Sequence, residues 1–217
     1  MPRSEPAPPV IAVDGPAAAG KGTLARRLAA HYGLRHLDTG MLYRATALCL
    51  LRANGDPAQE AEAVDAARNV TDADLDDPAL RGEEVGQAAS QVAAHGAVRR
   101  ALLDYQRTFA AEPPGAVLDG RDIGTVVCPD ARVKIYLEAT PEARAKRRLC
   151  ELRSRGVEGI ESRVLDEIIA RDVRDSRRSA APMKPAADAS RIDTTALGPD
   201  EVFERAAVIV DSRLSSA

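Results

Sequence analysis

Residues 10–14, Val-Ile-Ala-Val-Asp, form a short apolar and β-branched run, the pattern of a buried strand. The periodicity then changes. Over residues 22–33 the apolar positions Leu24, Leu28 and Tyr32 fall four apart and Gly33 stands where a helix stops, which predicts a helix. Residues 35–40 predict a short strand and a turn, and residues 41–55 a helix ending at Asn54-Gly55. Residues 56–84 carry only weak helical pieces, broken by Pro57, Pro78 and Gly82, and are expected to form a small surface insertion. Residues 85–96 and 97–110 are helical; in the second, Val98, Leu102, Tyr105 and Phe109 trace one apolar stripe. Residues 112–115 form a loop, residues 116–120 and 133–139 predict strands, and Thr140-Pro141 opens a helix. The basic stretch beyond is helical with a break near residues 155–159. Residues 190–195 hold a weak last strand, and residues 199–214 a closing helix. Strands alternating with helices predict an α/β domain, residues 1–217, with a parallel sheet covered on both faces.

Composition sharpens this picture. With 217 residues and 45% apolar side chains a sizeable core is available, but aromatics make up only 3% and Trp is absent, so Ala, Val, Leu and Ile must build it. The net charge of −3 argues against a general nucleic-acid or membrane surface. That charge is uneven: residues 53–88 are acidic and residues 144–178 arginine-rich, and the latter suits a small anionic ligand. Cys49, Cys128 and Cys150 lie far apart with no C-x-x-C, which argues against a disulfide or zinc framework and for a reducing cytoplasm. The opening residues are too rich in Pro for a signal peptide, and no apolar run reaches membrane-spanning length. His31, His36 and His95 show no spacing for metal or nucleophilic work.

The chemistry starts at residues 14–23, Asp-Gly-Pro-Ala-Ala-Ala-Gly-Lys-Gly-Thr. Gly15-x-x-x-x-Gly20-Lys21 stands between a strand and a helix, the context in which glycines let backbone N–H groups curl around phosphates. The helix N-terminus adds its dipole, Lys21 adds a point charge, and the Thr23 hydroxyl is placed to meet Mg²⁺. Gly20-x-Gly22-x-x-Ala25 also fits a dinucleotide pattern, with Asp38 near where a ribose-binding acid belongs, but its first Gly is not at the strand end.

A hydroxyl one place late, in Gly-Lys-Gly-Thr, is similar to nucleoside-monophosphate kinases. Residues 14–29, 36–45, 88–94, 118–140 and 171–189, taken in order, resemble bacterial cytidylate kinases, from about Val10 to the last helix. The resemblance implies a P-loop kinase fold with a five-stranded parallel sheet, a short monophosphate-binding insertion at residues 53–88 and a mobile lid at residues 151–165, around Gly156 and Gly159. It implies transfer of the ATP γ-phosphoryl group to CMP or dCMP with Mg²⁺, in a cytoplasmic monomer with no nucleic-acid or membrane partner. An adenylate kinase and a nucleotide-binding switch are the alternatives. Residues 121–125 and 171–178 speak against the first, and the lack of an N-K-x-D run against a guanine-specific form of the second.

Residue by residue, the resemblance gives Gly15, Pro16, Ala17, Ala18, Ala19, Gly20, Lys21, Gly22 and Thr23 to the ATP phosphates. Relatives often have Ser-Gly where Ala17-Ala18 stand, which removes a side-chain contact. Thr39, Tyr43 and Arg44 hold the acceptor phosphate with Arg121 and Arg178. Asp122, Ser90 and Arg99 read the base, and Arg171 and Asp175 hold the ribose. Arg148 and Arg174 serve the lid and the γ-phosphate, so the implied catalytic set is Lys21, Arg121, Arg148, Arg174 and Arg178. Asp119 either accepts a water from the Mg²⁺ shell or is a turn-forming Asp before Gly; both stay open. Helical spacing also puts Arg144, Arg147 and Arg148 on one face, around either a triphosphate or a salt-bridged surface with Asp172, Glu167 and Glu151.

Overall fold

The computed structural model describes residues 8–215; the proline-rich opening, residues 1–7, lies outside them. Strands β1 (Val10–Asp14), β2 (Arg35–Asp38), β3 (Ala116–Gly120), β4 (Val133–Glu138) and β5 (Ser190–Asp193) make one sheet in the order β2-β3-β1-β4-β5. Every neighbouring pair is parallel; Val10 lies opposite Ala116, and Ile11 opposite Val133. This is the expected fold class. From β1 the chain winds first to one side of the sheet and then to the other, so the C-terminal ends of β1 and β3 border a crevice.

β1 is covered on both faces, which is why its run has no polar position before Asp14. Ala12 joins one core with Leu118 and with α2 (Thr39–Arg52), α4 (Glu83–Val92) and α5 (Gly96–Ala111). Ile11 and Val13 join the other, with Leu24 and Leu28 of α1 (Lys21–Tyr32) and Val202 and Val210 of α8 (Pro199–Leu214). Gly33 closes α1 at φ 65°, and the Thr140 hydroxyl accepts from Ala143 N at 3.3 Å to open α6 (Pro141–Ser154).

Three features depart from the sequence pattern. No turn separates β2 from α2: the Asp38 carboxylate accepts from Gly40 N at 3.0 Å and caps the helix directly. The segment expected as a surface insertion holds α3 (Glu60–Arg68) and two 3₁₀ turns, and it is not superficial, because Ala63 and Leu80 are fully buried in the same core as Leu118. After β3 the chain makes a π-helical turn, Ile123–Val127, which no periodicity announced.

α6 and α7 (Glu161–Arg177) form a hairpin around residues 155–160, the expected break. Its contacts come from a third cluster, Ala145, Leu149, Leu152, Val164 and Ile168, distinct from the two sheet cores.

Candidate active site

A cleft of about 720 Å³ opens at the C-terminal ends of β1 and β3 and extends to α4, α5 and the α6–α7 hairpin. The glycine loop forms one wall. Gly15 has φ 144°, and a Cβ there would meet the Leu137 carbonyl oxygen at 2.3 Å, so only glycine lets the loop leave β1 so close to β4. Ala18 sits at φ 58°, a left-handed conformation where glycine is the unstrained residue. The Lys21 ammonium is buried and donates to Pro16 O at 2.8 Å across the loop. Burial, reinforced by the Arg121 charge, brings Lys21 down to about 7.

The opposite wall is a cluster of arginines around one acid. Asp175 accepts from Arg121 Nε at 3.0 Å and lies 3.8 Å from Arg171 Nε and 3.9 Å from Arg178 Nη1. Burial would raise the Asp175 carboxyl, but the three guanidinium charges outweigh it and hold it below its usual range. One carboxylate does not satisfy three guanidiniums. Arg178 Nε and Nη2, Arg171 Nε and Arg99 Nε are buried with no hydrogen-bond partner.

Between these walls, Arg99 Nη2 and Asp122 Oδ2 form a buried ion pair at 2.5 Å, with the Arg99 guanidinium 5.2 Å from the Tyr43 ring centroid. Asp122 begins the π-helical turn, and Asp14 holds that turn: its two carboxylate oxygens accept from Ile123 N at 2.8 Å and Gly124 N at 2.7 Å. Burial nonetheless pushes Asp14 up to about 6. The Thr39 hydroxyl donates to Asp119 O at 2.9 Å, and Arg44 donates to Leu80 O at 2.6 Å, which ties α2 to the segment before α4.

The residues at the root of the loop suit a hard divalent cation. Asp38, Asp119 and Thr23 all line the cleft beside Lys21. Burial first, then the facing Asp119 carboxylate, raises Asp38, while the Lys21 charge works against that rise. Mg²⁺ needs only one or two protein oxygens, the remainder coming from water and phosphate.

A family model described as cytidylate kinase matches residues 11–212. The chain belongs to the cytidylate kinase family. A cytidylate kinase of Rhodopseudomonas palustris (strain TIE-1) is 58% identical over 188 residues, covering 87% of this chain and 89% of the relative. One from Methylocella silvestris is 57% identical over 203 residues, covering 94% of each. A solved structure of an uncharacterized protein from Eubacterium ventriosum has a TM-score of 0.53 at 14% identity, covering 94% of this chain and 99% of that one, a likeness of fold alone.

Membership makes the chain a nucleoside-monophosphate kinase, a phosphotransferase, and the cleft gathers most of the residues that the cytidylate kinase resemblance singled out. Ala17 to Thr23, Thr39, Tyr43, Arg44, Ser90, Arg99, Asp119, Arg121, Asp122, Arg148, Arg171, Asp175 and Arg178 all line it. Gly15 and Pro16 do not: they lie buried beneath the loop, where Pro16, which has no N–H, instead gives its carbonyl to Lys21. Arg174 is outside too, because its Nε donates to Ser90 Oγ at 3.1 Å on α4. Among the other arginines on α6, Arg144 takes the salt-bridged alternative, donating to Asp172 Oδ1 at 3.1 Å and Oδ2 at 2.5 Å. Arg147 hydrogen-bonds to Thr194, and Arg148 pairs with Glu151 at 2.9 Å and Glu83 at 3.4 Å. Sequence reasoning missed Asp14 and also His36, whose Nε2 lies 2.8 Å from Asp119 Oδ1. Neither has a local signal, since each partner is distant in the chain.

Proposed function

We propose that this cleft transfers the γ-phosphoryl group of ATP to the phosphate of CMP or dCMP, giving ADP and CDP or dCDP. ATP sits on the glycine loop, and the acceptor sits against α4, α5 and the Asp175 cluster. The partnerless guanidinium donors of Arg178, Arg171 and Arg99 carry this reading. Each buried donor left unsatisfied costs about 1–3 kcal/mol. A phosphate beside Arg178 and Arg121, a ribose beside Arg171 and Asp175, and a base beside Arg99 would satisfy them together.

Catalysis of this kind is positioning and charge neutralisation. The loop N–H groups and Lys21 hold the transferring end of ATP. Thr39, Tyr43, Arg44 and Arg121 bring the acceptor phosphate into line with it, and Arg148 reaches over from α6. Ser90, Arg99 and Asp122 select the base. Thr23, with Asp119 accepting through water, would hold Mg²⁺, which would supply positive charge to offset the triphosphate. Residues 151–165, at the tip of the α6–α7 hairpin, are the lid, and residues 53–88, through α3, support the acceptor side. One chain supplies every group named, which fits a monomer. Among the described residues no helix is long and apolar enough to cross a membrane, and the cytoplasm supplies both substrates.

A coupled ADP-release assay with CMP, dCMP, AMP and dTMP as acceptors tests the reading. CMP and dCMP are expected to be turned over, and AMP and dTMP far more slowly. AMP used as readily as CMP would assign the arginine cluster to another nucleotide.

A further inference from the structure

The glycine loop is itself held from beneath. Arg144, near the start of α6, is buried, and its guanidinium has three fixed partners. Nε donates to Ala139 O at 3.0 Å, and Nη1 and Nη2 take the two Asp172 carboxylate oxygens. The second proton of Nη1 goes to Ala17 O, in the loop, at 3.3 Å. Two peptides further on, Ala19 O lies 3.1 Å from the Thr194 hydroxyl, as does Glu138 O. Carbonyls only accept, so that hydroxyl donates and shares its one proton between them, while its oxygen accepts from Arg147 Nη1 at 3.0 Å.

A trans peptide is planar, with its C=O and N–H pointing in opposite directions. Fixing Ala17 O toward Arg144 therefore turns the Ala18 N–H away from α6, and fixing Ala19 O toward Thr194 turns the Gly20 N–H away from Thr194. Neither N–H reaches an acceptor among the described residues, and Ala18 and Gly20 both line the cleft. The peptide between them is the contrast. Among the described residues nothing holds Ala18 O, and the N–H of that peptide, on Ala19, turns to Pro16 O at 3.4 Å. The arrangement has a cost at Ala18, whose φ of 58° is one that an alanine keeps only where its surroundings impose it.

We propose that Arg144 is a positioning residue for the phosphate loop, with Thr194 as its counterpart one peptide on. Together they hold two peptides in the orientation that presents their N–H groups to an anion. The inference rests on the reading that the ATP phosphates lie on this loop. Arg144 does not line the cleft and touches no substrate in this scheme. It acts through the Ala17–Ala18 peptide.

The test is binding, with ATP, inorganic tripolyphosphate and CMP each titrated alone in the presence of Mg²⁺. Arg144→Lys keeps the positive charge but loses the fork that reaches Asp172 and Ala17 O together. Thr194→Val keeps shape and charge and loses the hydroxyl, so it reports on the loop even where Arg144→Lys fails to fold. Thr194→Ser restores the hydroxyl. Arg144→Lys and Thr194→Val are each expected to raise the Kd for ATP about 3- to 10-fold, the range of one hydrogen bond. The Kd for tripolyphosphate should rise by the same factor and the Kd for CMP should stay, with Thr194→Ser recovering most of the loss. A merely looser fold weakens CMP as well, and a change at the nucleoside end of ATP spares tripolyphosphate; either pattern overturns the inference. An unmoved Kd for ATP in either variant, beside a Lys21→Ala protein that loses ATP affinity, overturns the inference alone. Lys21→Ala protein that binds ATP as tightly as wild type overturns the loop reading, and the inference with it.

Discussion

At the scale of the single residue, Lys21 carries the sharpest consequence. Its ammonium is buried against a carbonyl, and burial with the Arg121 charge holds it near 7. Because this lies below the ordinary lysine range, the buried charge weakens the fold below about pH 7, and that penalty is relieved as the pH rises above it. A triphosphate on the loop reverses the balance and favours the charged form. ATP binding at pH 8 is therefore expected to take up close to one proton, and at pH 6 almost none. Calorimetry in buffers of different protonation heat reads this directly, and binding at pH 8 without uptake contradicts it. Lys21→Ala should abolish the uptake and lower kcat about 10²–10³-fold, the loss typical of one donor to a transition-state charge. Lys21 was legible in the sequence because its neighbours in the chain are its neighbours in space. Asp14 was not, because the N–H groups it accepts from lie 109 and 110 residues away.

At the scale of the element, the π-helical turn after β3 is held by that one carboxylate. Asp14 is pushed up to about 6, above the value it has when unfolded. The stability it contributes is then full below about pH 4 and is lost as the pH rises through about 6. Asn does not titrate, so the stability gap between wild type and Asp14→Asn is expected to narrow from pH 5 to pH 7.5 in urea unfolding. A gap that widens contradicts the assignment. The strands were legible because a parallel strand covered on both faces is a run without polar interruptions. The turn was not, because its pattern is neither 3.6 nor 2. Helical spacing places Arg171, Arg174 and Arg178 on one stripe, but spacing does not say which neighbour a guanidinium reaches. Arg171 and Arg178 gather at Asp175, while Arg174 turns to α4.

At the scale of the whole molecule, two cores grip the sheet while the α6–α7 hairpin packs through a cluster of its own. If its tip is the lid of the proposed reading, Arg148 and Arg171, which line the cleft, stand on its two helices. Trypsin cleavage around Arg153, Arg155 and Arg163 is expected to slow when ATP and CMP are present together. An unchanged rate with both contradicts lid closure. The central claim, that the space between the glycine loop and the Asp175 cluster reads cytosine, is tested most directly by kcat/KM for CMP against UMP in wild type and Asp122→Asn. On that claim the Asp122 carboxylate accepts from the cytosine N4 amino group, where uracil would present O4. A site built around that hydrogen bond discriminates by roughly 10⁴. Wild type should prefer CMP on that scale, and Asp122→Asn, whose amide can donate to O4, should narrow the preference. UMP within a few-fold of CMP in the wild type contradicts the account.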